Sequence, residues 1–164
     1  MKRKCFLTVA VLCLAMFLGL ANAQEYTISD YDFTWHVAKA GAIALDVQKD
    51  PKGVSIVLTA PGGRLARLAM TPSQAVAVAD VLKKTREFYD NQMKKKDPNM
   101  ENQVSAGDHT VTFSSSRGRN FEVSVRKSVV GALVAMDMEQ ALKMATTMKD
   151  SEKLAHLVDK RIKP

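Results

Sequence analysis

The stretch RLARLAMTPSQAVAVADVLKK at residues 64–84 is echoed 66 residues later by VGALVAMDMEQALKMATTMKD at 130–150. Laying residues 37–84 on 103–150 gives ten identities, among them Gly41 with Gly107, Met70 with Met136, Gln74 with Gln140 and Lys83 with Lys149. Self-similarity at a fixed period is the mark of a repeated supersecondary unit. Whatever this chain folds into has to accommodate the same local structure twice.

The unit reads as strands followed by a helix. Ile43, Leu45 and Val47 alternate with Ala44, Asp46 and Gln48, and His109, Val111 and Phe113 alternate with Thr110, Thr112 and Ser114. Period two marks a strand with one buried face. Strands are expected near 31–39, 42–49, 53–60 and 64–70 in the first copy, and near 100–105, 109–115, 119–126 and 130–136 in the second. Short turn-forming links, such as Asp50-Pro51-Lys52-Gly53, imply antiparallel meanders. In the third strands, Val54, Ile56 and Leu58 run one residue out of phase with Phe121, Val123 and Val125. A one-residue slip would reverse a strand's faces, so a small insertion is expected near the flanking turns.

Helix starts are well marked. Thr71 can cap, Pro72 suits the first helical position and Gln74 can close a capping box; Asp137 and Gln140 stand at the matching places. Ala75, Val78, Ala79, Leu82 and Tyr89 then follow helical spacing, as do Ala141, Met144, Ala145 and Met148. The second helix is expected to run on through Leu154, Leu157 and Val158, with a break at Asp150-Ser151. One meander cannot bury its apolar face alone. The expected fold is therefore α+β: two ββββα repeats, each a four-stranded antiparallel meander and a helix, packed as one pseudo-symmetric domain with the helices between the sheets.

The local match GAIALDVQK (41–49), GVSIVLTAPGGR (53–64) and LARLAMTPSQAVAVADVLKK (65–84) resembles the ββββα single-stranded nucleic-acid-binding architecture. The transcriptional positive-cofactor-four type domain, the Whirly proteins and the Pur-alpha repeats belong to it. The resemblance extends over most of residues 24–164 as topology, and it implies that the sheet surface binds single strands.

The first 23 residues carry different signals. Lys2, Arg3 and Lys4 precede an apolar run from Cys5 to Leu20, and Ala21-Asn22-Ala23 forms a small-residue cleavage site. This is the pattern of a Sec-type signal peptide, so residues 1–23 are expected to be removed on export to a periplasm or beyond. No stable membrane insertion is expected after cleavage. Residues 24–164 are expected to form a single domain of two repeats, about 31–89 and 100–164, joined by a linker at 90–99. Cleavage removes both cysteines, Cys5 and Cys13, and leaves 21 basic residues against 17 acidic ones, a net +4. That charge is weakly basic and argues little for a polyanion partner.

Candidate chemistry is sparse. Arg64 and Arg67, Arg117 and Arg119, and Arg126 with Lys127 lie at or near hairpin turns. They are candidates for a polyanion-binding rim, or for the charged residues that keep sheet edges apart. The run Lys94-Lys95-Lys96 reads as a solvated link. His36, His109 and His156 show no metal-ligand spacing, and His109 follows the inward phase as a hydrogen-bonded edge histidine. Ser114-Ser115-Ser116 lacks a nucleophile elbow and a base. Phe33, Trp35, Phe113 and Phe121 share the apolar phase and are expected inside. No cofactor, metal or catalytic set is expected. The sequence points to an exported, non-enzymatic scaffold for a protein partner or for self-association. The alternative is an exported binder of single-stranded nucleic acid or another polyanion through the outer sheet faces. One outcome tests the helical reading: Leu82→Asp places an unpaired charge on the buried stripe and abolishes the cooperative thermal transition seen by circular dichroism.

Overall fold

Alternation and turn chemistry produce the same series of elements twice. A computed structural model describes residues 29–95, 97–127 and 131–161, with side chains throughout except at 63–64. The expected signal segment, 1–23, lies outside the described residues. The first series is β1 (Phe33–Ala40), β2 (Ile43–Asp50), β3 (Gly53–Thr59), β4 (Arg67–Met70), α1 (Pro72–Leu82) and α2 (Thr85–Lys95). The second is β5 (Met100–Ala106), β6 (His109–Ser116), β7 (Arg119–Arg126), β8 (Leu133–Met136), α3 (Met138–Met148) and α4 (Ser151–Arg161). Each four-strand set forms its own antiparallel sheet in chain order. The architecture is α+β and built of two matching repeats.

The expected phase slip resolves at a single residue. In the first sheet the register of β2 and β3 is continuous from Asp50↔Gly53 to Gln48↔Ser55 and beyond. In the second, Ser116↔Arg119 is followed by Ser114↔Glu122, so β7 carries one residue more than its partner. Asn120, with φ 51°, occupies that stretch. Asparagine tolerates the left-handed region better than most residues, which makes it suited to a bulge. Beyond it Val123 and Val125 are buried, as Ile56 and Leu58 are in the first sheet. A second bulge, at Val37, offsets β1 against β2. The strand expected from residue 64 begins only at Arg67, because Gly63–Ala66 form a 3-10 turn.

Both capping boxes form. The Thr71 hydroxyl accepts from the Gln74 N–H and the Gln74 side chain accepts from the Thr71 N–H; Asp137 and Gln140 do the same. The helix after each box is short. Lys84 and Asp150 donate their N–H groups to carbonyls three residues back, Val81 and Thr147, and tighten the chain into a turn. The second of these breaks lies beside the expected one. The first, at Lys83-Lys84, divides what the spacing through Tyr89 had suggested was one helix. Residues 90–95 of the expected linker continue α2.

The helices cross between repeats. α1 and α3 pack on each other in the centre and touch both sheets, whereas α2 lies on β6 and β7 and α4 lies on β2 and β3. Each second helix thus covers the sheet of the other copy. Phe88 of α2 stacks on Phe113 of β6 with ring centres 4.2 Å apart. Gln92 donates to the Phe113 carbonyl and to Asn102. On the other side, Lys49 of β2 pairs with Asp159 of α4 at 2.9 Å. The capping glutamines also reach across: Gln74 donates to Asp108 in the β5–β6 turn, and Gln140 crowds Gly41 in the β1–β2 turn. A Cβ at Gly41 would sit 2.5 Å from the Gln140 Nε2, and its φ of +58° already disfavours a side chain.

This crossing makes the copies interdependent. Fragments 24–97 and 98–164, prepared separately, are expected to show no cooperative melting. Mixed in equal amounts, they regain helical ellipticity and a common transition. A cooperative transition in either fragment alone would show that its own helices can cover its own sheet.

Candidate functional site

The six basic residues singled out in the sequence fall in separate places. Arg64 lies in the 3-10 turn, and its side chain is outside the described residues. Arg67 lies on the outer face of the first sheet and donates to the Gln48 side chain. Gln48 in turn donates to both carboxylate oxygens of Asp32 at 2.8 Å. Arg117 and Gly118 form the two-residue β6–β7 turn, both with positive φ, and Arg119 opens β7. Arg126 ends β7 and Lys127 follows it. Arg119 and Arg126 thus stand at opposite ends of an eight-residue strand, roughly 23 Å apart at normal strand rise. Lys94 and Lys95 end α2, and Lys96 lies outside the described residues.

Acids share the faces on which these cations lie. Asp46, on the outer face of the first sheet, takes a 2.7 Å contact from His36. On the second sheet Glu101 and Glu122 flank Ser114 on neighbouring strands. They border a polar hollow of about 520 Å³ together with Asn99, Ser116 and Asn120. The hollow holds no paired nucleophile and base. Among the described residues no group of three His, Cys, Asp or Glu could hold a metal ion.

The aromatic residues part company with the sequence reading. Phe113 is fully buried, and Phe121 is half-buried with Tyr89 edge-on to it at 5.2 Å. Phe33 is 45% exposed and Trp35 only half-buried. Their phase was read correctly: they stand opposite Lys49 and Val47, both on the buried side of β2. The cover is what fails. β1 is the outermost strand, α4 lies on β2 and β3, and α3 meets β1 while Gln140 at its start crowds the turn after Ala40. Tyr31, Phe33 and Trp35 therefore form a row along the open edge, with ring centres 5.6 and 5.9 Å apart. The matching register positions of the second sheet, opposite Ser115 and Phe113, hold Met100 and Asn102. The sequence reading did not single out this row. Its signal was the alternation of acid and ring in DYDFTW, which the second copy does not repeat.

His109 is the other departure. It stands where the first copy has Ile43, and it is 1% exposed with neither ring nitrogen hydrogen-bonded among the described residues. The expected hydrogen bond is missing because the inward phase carries the ring beneath the helical layer. Burial holds its pKa below the ordinary histidine value, and Lys127 lowers it further while Asp108 opposes. Among the described residues no helix is long and apolar enough to cross a membrane.

No family model matches the chain, and comparison with curated proteins gives no match either.

The histidine sets a pH dependence. The unfolded chain takes up a proton near pH 6.5 that the folded chain refuses until lower pH, so the neutral ring's contribution is complete above 6.5. It is lost as pH falls from there towards the depressed folded value, at up to about 1.4 kcal/mol per pH unit. His109→Ile, the residue of the first copy, is expected to remove that component. Urea midpoints at pH 7.5, 6.5 and 5.5 check it: the gap between variant and wild type widens with acid.

Proposed function

We propose that this chain is an exported, non-enzymatic binding protein whose duplicated unit is a scaffold for protein association, with edge β1 as its contact surface. One observation carries the reading: a row of partly exposed rings lies on an open sheet edge, at positions where the same fold elsewhere in the chain uses Met100 and Asn102. The scaffold does not require rings there. Exposed aromatic rows supply much contact area at little entropy cost and are enriched where proteins meet. Export rests on the N-terminal pattern of residues 1–23.

The alternative, single-stranded nucleic acid or another polyanion, draws support from the same rings, since bases stack on aromatic faces. It also accords with the resemblance to single-strand-binding ββββα proteins. It needs a cationic path for phosphates, and the candidate cations Arg67, Arg117, Arg119, Arg126 and Lys127 are dispersed among Asp46, Glu101 and Glu122.

The test compares wild type with Phe33→Thr. Proteins retained by the wild type from an extracytoplasmic fraction are expected to be lost with Phe33→Thr at an unchanged melting temperature. A labelled single-stranded oligonucleotide is expected not to bind at about 50 mM salt, where phosphate contacts are strong. Oligonucleotide binding there that Phe33→Thr weakens would establish the alternative.

A further inference from the structure

Each sheet has two edges, and three of the four are guarded. β4 and β8 approach each other, and the 3-10 turn at 63–66 packs beside β8. β5 presents exposed Glu101, Asn102 and Gln103. Charged and polar side chains on an edge discourage pairing with foreign strands. β1 is different: β2 lies on one side of it and, among the described residues, no strand lies on the other. From Phe33 to His36 its register is regular, and only at Val37 does a bulge interrupt it. Its two faces carry different chemistry over that run. Towards the helices stand Phe33 and Trp35, continued by Tyr31. Towards the outside stand Thr34 and His36, with Asp46 beside His36 and Asp32 linked to Gln48. Asp30 and Asp32 are exposed.

Resting on the reading of β1 as the contact surface, we propose that this edge binds by strand addition. Its occupant is an extended segment of a partner protein in which apolar and basic residues alternate. Main-chain hydrogen bonds to the free side of β1 supply the attachment, and alternate side chains supply the selection. Apolar side chains of the added strand fall beside the rings of Phe33 and Trp35, as cross-strand pairs do. Basic side chains fall on the other face, where Asp30 and Asp32 are exposed. A second copy of this chain is the poorer occupant, because its own β1 offers no lysine or arginine between Phe33 and His36 to set beside the acids. The Val37 bulge limits the docked run to about four residues, so the partner needs a short extended segment and not a whole sheet.

The test uses synthetic peptides and the purified protein. A ten-residue peptide alternating valine and lysine is titrated while the emission of Trp35, the sole tryptophan, is followed. Binding is expected, together with slowed amide exchange within residues 33–36. Replacing the lysines by glutamates is expected to weaken binding at least tenfold, and N-methylating alternate peptide amides to abolish it. Phe33→Thr is expected to weaken binding at least tenfold without lowering the melting temperature. Equal binding of the glutamate peptide, or undiminished binding of peptides N-methylated on either alternate set of amides, overturns strand addition with basic selection. If no peptide binds while Phe33→Thr still loses the retained proteins, strand addition falls and the contact surface stands. If Phe33→Thr loses nothing, both fall. An oligonucleotide that changes Trp35 emission where the peptides do not replaces both with base stacking.

Discussion

The structure depends on the burial of each sheet's apolar face beneath the helices of the other copy. A four-stranded meander with one apolar face and a helix on a short tether is an incomplete core. Here α2 closes over β6 and β7 and α4 over β2 and β3, while α1 and α3 cross in the middle. Phe113 shows the dependence in one residue. It belongs to the second sheet, stacks on Phe88 from the first copy and is fully buried between them. Removing a ring from such a place costs about 3–5 kcal/mol, a large share of an ordinary domain's stability. The helix breaks at Lys83-Lys84 and Lys149-Asp150 belong to the same constraint, since they turn each second helix onto its neighbour's sheet.

A pseudo-symmetric plan also makes departures informative. Where both copies serve only the core, their residues correspond: Met70 with Met136, Ala75 with Ala141 and Ala79 with Ala145 are all buried. Where they differ, one copy has gained something the fold does not require. The position of Ile43 is taken by His109, which is buried with neither ring nitrogen hydrogen-bonded among the described residues. Lys49 stands opposite Phe33 where the second copy has Ser115 opposite Met100, and its charge is held by Asp159. Tyr31, Phe33 and Trp35 form the clearest departure. They concentrate exposed apolar surface on one strand of one sheet.

Much of the fold was legible from residues alone. Alternation located the strands, and the capping boxes at Thr71 and Asp137 located the helix starts, because both are local rules enforced within a few residues. The slipped phase of Phe121, Val123 and Val125 announced an insertion, and Asn120 occupies it. The candidate site was less legible. Six basic residues near turns looked like one rim in sequence, yet turns adjacent in the chain lie at opposite ends of a strand in space. Phase placed Phe33 and Trp35 on the helix-facing side, but phase says which way a side chain points and nothing of what covers it.

The sequence by itself determined that this chain holds two copies of a strand-meander-and-helix unit, where the two capped helices begin, and which side of the strands is apolar. Those properties follow from side-chain periodicity and backbone hydrogen bonding, which act at short range. Only the tertiary structure decided that the copies exchange helices, that the helical layer leaves the start of β1 uncovered, and that His109 is buried with no hydrogen-bond partner among the described residues. Those outcomes depend on which distant surfaces meet, because burial and exposure belong to pairs of elements and not to any stretch of chain.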